Sequence, residues 1–134
     1  MTCPDTSVIV PALSQWHEDH ERARHVVGRP TQLVGHCLIE TYSVLTRLPE
    51  PYRTPPDVAA VAIGQLCADC DVLAPPDGAT VVQRLREAGV AGGATYDGLI
   101  AINALDHGAT ILTLDARAVP TYRAIGAPFR LIGA

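Results

Sequence analysis

The sequence has no lysine: all 10 of its basic side chains are arginine. Aromatic rings are almost as scarce, with one Phe, one Trp and four Tyr in 134 residues. The core must therefore be built from Ala, Val, Leu and Ile, and little stacking surface is expected for single-stranded nucleic acid. No apolar run approaches the roughly 20 residues of a membrane span, so no membrane association is expected. The opening Met1-Thr2-Cys3-Pro4-Asp5 has no basic n-region before an apolar stretch, so no secretory signal is expected and the compartment is read as cytoplasmic. What is present fits one globular domain. Hydrophobic residues make up 48% and charged residues 18%, which excludes a disordered or low-complexity chain, and the length leaves no room for a second full domain.

The net charge is −4, which does not indicate a broad nucleic-acid-binding surface. Gathering a few acids in one place would change that reading, because the acidity would then mark a site. Cys3, Cys37, Cys67 and Cys70 read as reduced thiols. Cys67-Ala-Asp-Cys70 lacks the second pair that a structural zinc site needs, and it lies too far along the chain for a thioredoxin-like motif. It reads as buried helix cysteines. His17 and His20, three residues apart, offer at most adventitious metal binding.

Helices and short strands alternate along the chain. A brief strand is expected at residues 2–4, interrupted by Pro4, followed by the apolar segment Val8-Ile9-Val10. Residues 15–28 read as a charged surface helix ended by Gly28. Residues 36–48 read as an amphipathic helix whose apolar stripe is Leu38, Tyr42, Leu45 and Leu48. Further helices are expected over about 56–69, 77–88 and 96–107. A buried strand is expected at 71–74, the strongest strand at 109–114 and a last strand at 129–132. This pattern predicts an α/β domain with a central, mostly parallel sheet of four to five short strands covered by helices on both faces. Ligands of such sheets bind beyond the carboxyl ends of the strands.

Four carboxylates stand out against that frame. Asp5 follows the first strand, where it would also serve as a helix N-cap. Glu40 points about 160–200° away from the Leu38/Tyr42 stripe at 100° per residue, either into solvent or into a cleft. Asp97 lies in the first turn of its helix, where the dipole favours an anion. Asp115 ends the strongest strand, where a carboxylate is costly unless paired or bound to a cation. Converging at one sheet edge, the four would make a hard-oxygen site suited to Mg²⁺ or Mn²⁺.

These segments resemble the PIN-domain ribonucleases, specifically the VapC-type toxins of bacterial toxin–antitoxin pairs. Asp5-Thr6-Ser7-Val8-Ile9-Val10 is similar to the family's opening acidic motif. The stretch Leu38 to Leu48 looks like its Glu-bearing helix. Tyr96-Asp97-Gly98-Leu99-Ile100-Ala101 looks like its third acid, and Ile111-Leu112-Thr113-Leu114-Asp115 like its fourth. The order and rough spacing are the family's, over essentially the whole chain. The resemblance implies that Asp5, Glu40, Asp97 and Asp115 form a metal-binding catalytic quartet with Thr6, Ser7 and Thr113 as hydroxyl supports. It also implies an RNA substrate, a VapB-type antitoxin partner and a homodimer. Two features depart from the pattern: Pro4 directly before the first acid, and Arg117 where some relatives carry a further acid. Arg117 and Arg47 are candidate phosphate contacts. Two other readings use the same residues: a Mg²⁺-dependent phosphatase or phospho-acceptor domain with Asp5 as nucleophile, and a non-catalytic interaction module of the same fold.

Overall fold

Among the described residues, five short strands, all parallel, decide where the acids fall. The computed structural model describes residues 1–28 and 31–133. In chain order the elements are β1 (Thr2–Pro4), α1 (Thr6–Ala12), α2 (His20–Val27), β2 (Gln32–Leu33), α3 (Gly35–Arg47), α4 (Pro56–Asp69) and β3 (Asp71–Val72). They continue with α5 (Gly78–Glu87), a 3-10 turn at Gly92–Ala94, α6 (Thr95–Asp106), β4 (Thr110–Thr113), a second 3-10 turn at Ala116–Ala118, α7 (Val119–Ile125) and β5 (Phe129–Leu131). One hydrogen-bonded group has the order β1-β4-β5 and the other pairs β2 with β3. A parallel bridge between Thr2 and Thr31 joins them, giving the order β3-β2-β1-β4-β5.

Side chains alternate across β4. Ile111 faces a core that includes Cys3, Leu33, Cys37, Ile100 and Tyr122. Leu112 faces the opposite side, against Val8, Ala12 and Ala23. Helices therefore cover both faces, as a parallel sheet requires. Pro4 does not break the ladder: it ends β1, and the next amide, that of Asp5, donates to Leu112 O at 3.0 Å.

Asp5 caps a helix as expected, accepting from the Ser7 amide, and Val8-Ile9-Val10 lies in that helix, α1. Several other local expectations are corrected. The charged helix begins only at His20. In α3 the buried stripe is Cys37, Thr41 and Leu45, while Tyr42 is 36% exposed. Thr41 is tolerated there because its hydroxyl donates to Cys37 O at 2.7 Å. This rotates the helix so that Glu40 lies about 100° from the buried stripe, at its border and not opposite it. The strand at Asp71–Val72 is exposed on both residues; it is a sheet edge, and burial resumes only at Leu73. β2 and α7 were not expected. Pro120 in the first turn of α7 and Gly126 in the left-handed conformation after it (φ 86°) are the signals that mark that helix.

Candidate active site

Asp5 is only 3% exposed, and both of its oxygens are occupied. Oδ1 accepts from the Ser7 amide at 3.0 Å and from the Ser7 hydroxyl, while Oδ2 accepts from the Tyr122 hydroxyl at 2.6 Å. Burial pushes the Asp5 carboxyl above its ordinary value, and these donors work in the opposite direction. The same desolvation, with Asp5 alongside, holds Tyr122 protonated and hence a donor.

A line of hydroxyls ties this corner to the end of β4. Ser7 Oγ lies 3.3 Å from Thr113 Oγ1 and accepts from the Leu114 amide at 2.8 Å. Thr113 Oγ1 accepts from the Asp115 amide at 3.0 Å. Asp115 in turn caps the following 3-10 turn, accepting from the Arg117 amide at 3.0 Å. Across the cleft, Thr6 Oγ1 donates to Glu40 Oε1 at 3.1 Å. His36, one turn earlier on α3, brings its Nε2 within 3.1 Å of the same oxygen.

Asp97 enters from the start of α6. Its carboxyl is pushed up to about 6, first by burial and then by the charges of Asp5, Asp115 and Glu40, with Arg117 pulling the other way. The α6 backbone sits close to α5 there because residue 98 is glycine: a Cβ would run into the Leu85 and Val90 side chains. The four acids named from the sequence thus come from the β1–α1 junction, α3, α6 and the end of β4 to one region, where the other three raise Asp97. Among the described residues, no three carboxylate, imidazole or thiol groups are gathered tightly enough, as the side chains stand, to enclose a metal ion. The donor set still suits a hard divalent cation: all four are oxygen ligands, and the neighbouring negative charge that adds to burial in raising Asp97 is what such a cation would offset.

The two arginines differ. The Arg117 side chain is 94% exposed, with Nε 3.4 Å from Asp115 Oδ1. Arg47 is exposed in the last turn of α3, two turns beyond Glu40. Thr6, Ser7, His17, Asp19, Val44 and Leu114 line a recess of about 360 Å³. A larger recess of about 800 Å³, bordered by His20, Arg24, Gln65 and Cys70, holds none of the four acids.

The cysteines are all free, and Cys67 and Cys70 are half-buried where full burial was expected. Burial and the neighbouring Asp69, Cys67 and Asp71 push the Cys70 thiol up, which disfavours the reactive thiolate. Sequence reasoning missed Tyr122 and His36. Nothing in the local sequence ties residue 122 to residue 5; their contact depends on the crossover into β5. His36 was legible as the residue four before Glu40, one turn away on the same helix.

Residues 2–123 match the family model described as PIN domain. The chain is 41% identical over 137 residues to the ribonuclease VapC40 of Mycobacterium tuberculosis, covering 98% of this chain and 99% of that protein. The crystal structure of M. tuberculosis VapC20, a sarcin-ricin loop cleaving toxin, superposes with a TM-score of 0.70 at 16% identity, covering 90% and 94% of the two chains. The VapBC2 structure from Rickettsia felis, bound to a DNA fragment from its promoter, gives a TM-score of 0.67 at 12% identity and 98% coverage of each chain.

Proposed function

Because this chain belongs to the PIN-domain family, in its VapC branch, we propose that it is a metal-dependent endoribonuclease toxin that hydrolyses RNA phosphodiester bonds. The observation that carries this reading is the hydrogen-bonded line that gathers acids from separate elements: Thr6 holds Glu40, Ser7 holds Asp5, and Ser7 meets Thr113, which holds the Asp115 amide; the upward shift of Asp97 by burial and by these charges agrees with it. Asp5, Glu40, Asp97 and Asp115 would hold Mg²⁺ or Mn²⁺. When bound, such an ion supplies the positive charge that offsets the phosphate and eases deprotonation of the attacking water.

The remaining work falls to the protein's own groups. Tyr122 and Ser7 fix both oxygens of Asp5, and Thr6 fixes Glu40. Ser7 and Thr113 pin the end of β4 and so aim Asp115. The exposed guanidinium of Arg117 is available to a phosphate oxygen. No side chain is assigned as nucleophile, and Asp5 is poorly placed to be one: it is almost wholly buried with both oxygens engaged. That geometry disfavours the phospho-acceptor reading. A VapB-type antitoxin, a homodimeric assembly and a cytoplasmic setting, where such a toxin meets RNA, complete the proposal. Among the described residues no helix is long and apolar enough to cross a membrane.

The test is incubation with total RNA in Mn²⁺ or in chelator, with new ends mapped, alongside thermal melts. Metal-dependent cleavage is expected, together with a metal-induced rise in Tm that the Asp97→Asn variant loses; saturation at 100 times Kd stabilises by about 2.7 kcal/mol. Cleavage that persists in chelator, or in Asp97→Asn, would refute the quartet.

A further inference from the structure

Among the described residues, two buried side-chain atoms lack a hydrogen-bond partner, and one of them stands beside the acids: Nε2 of His36. It lies 3.1 Å from Glu40 Oε1, close enough for a hydrogen bond but not aligned for one. Without a proton, Nε2 turns a lone pair on a carboxylate oxygen; with one, its N–H misses that oxygen. Burial makes either arrangement costly. The same Glu40 oxygen accepts from the Thr6 hydroxyl at 3.1 Å, which holds it in place.

The imidazole is held as well. Tyr96 stacks on it almost in parallel, with centroids 4.9 Å apart and planes 7° apart, and Tyr96 directly precedes Asp97. His36 and Glu40 are four residues apart in α3, so helix geometry keeps them on one face. Two ligands at right angles on an ion with bonds of about 2.1 Å stand about 3.0 Å apart. One nitrogen and one oxygen are therefore already at the separation that neighbouring ligands of a single ion adopt. A cation bound by both satisfies the orphaned Nε2 and offsets the Glu40 charge. The other acids, too widely set to enclose an ion as the side chains stand, have only to turn toward that pair.

We propose that His36 is a fifth ligand of the metal centre, binding through Nε2 beside Glu40, and that this nitrogen makes the site choose Mn²⁺ over Mg²⁺. The inference rests on the reading of the quartet as a metal centre and adds a donor that the quartet does not contain. Mg²⁺ favours oxygen ligands and keeps its waters, whereas an imidazole nitrogen is a better match to first-row transition ions. A plain ion pair between His36 and Glu40 is the competing account, and it requires no bond between the nitrogen and an ion.

Mn²⁺ is paramagnetic, so the bound ion itself reports the test. The full-length protein at neutral pH is titrated with Mn²⁺, the free ion being read by its electron paramagnetic resonance signal. The bound ion is then examined by electron spin echo for coupling to nitrogen, and Mg²⁺ is titrated against it. Nitrogen coupling is expected in the wild type and in His17→Gln, which alters the imidazole lining the neighbouring recess, and should vanish in His36→Gln. Groups behind a metal ligand are worth about 10–100-fold in affinity. Loss of the ligand itself should therefore weaken Mn²⁺ at least about tenfold, and Mg²⁺ much less. Bound Mn²⁺ without nitrogen coupling in the wild type overturns the inference, however the variants behave, and leaves the quartet standing as an all-oxygen centre. Coupling that survives in His36→Gln, or is lost in His17→Gln, places the nitrogen elsewhere and overturns it too, as does equal weakening of both ions. A wild type that binds no Mn²⁺ overturns the quartet together with its fifth ligand.

Discussion

The Tyr122 hydroxyl donates to Asp5 Oδ2 at 2.6 Å, joining residues 117 apart in sequence. The contact links α7, at the far end of the chain, to the first acid at the end of β1. It also explains how a carboxylate with 3% exposure is tolerated: an unmatched buried acid would be costly.

Tyr122→Phe therefore leaves one oxygen of Asp5 buried without this donor. A hydrogen bond to a charged group is worth about 1.5–3 kcal/mol, so the variant should melt several degrees lower, and its RNA cleavage should fall through misplacement of Asp5. Calorimetry on metal-free protein checks the first effect. An unchanged Tm would mean that the bond contributes nothing.

Asp97 gives a pH prediction. Its folded-state value is about 6 against an ordinary 3.8, so between those pH values the folded protein binds more protons than the unfolded chain. Stability from this group is intact below about pH 3.8 and is lost as pH rises through 6. Asp97 is only half-buried, so solvent screening reduces the effect to about 1 kcal/mol. Asp97→Asn should be more stable than the metal-free wild type at pH 7 and indistinguishable from it near pH 3.5. Paired melts across that range decide it; a gap that stays constant with pH would count against the coupling of the acids.

Gly98→Ala tests how α6 is seated. A helical Gly→Ala change by itself gains up to about 1 kcal/mol, yet here the new Cβ meets the buried Leu85 side chain. Overpacking typically costs about 1–3 kcal/mol, so a net loss is expected. Combining it with Leu85→Ala should cost less than the two single changes summed, as read by denaturant midpoints.

Much of this arrangement was legible in the sequence because the signals were local. Strand ends place Asp5 and Asp115, the dipole places Asp97, and the apolar content of β4 identifies the sheet. Glu40 was legible as an acid but not in its orientation. The apparent stripe through Leu38 and Tyr42 competes with the real one through Cys37 and Thr41, and Thr41 reads as polar until its hydroxyl finds the Cys37 carbonyl. The role of Tyr122 was not legible, since its contact with Asp5 spans 117 positions. Asp5 shows that two readings of one residue can both hold: it caps α1 and sits among the acids.

The strand order has one more consequence. β1 sits mid-sheet, between β2 and β4, so one of its two flanking ladders closes only on residues more than a hundred positions later, Thr2 pairing with Thr110. Asp5 depends on a residue later still, Tyr122. A fragment cut between Asp115 and α7 would keep the acidic side chains yet lack the donor that fixes the first of them.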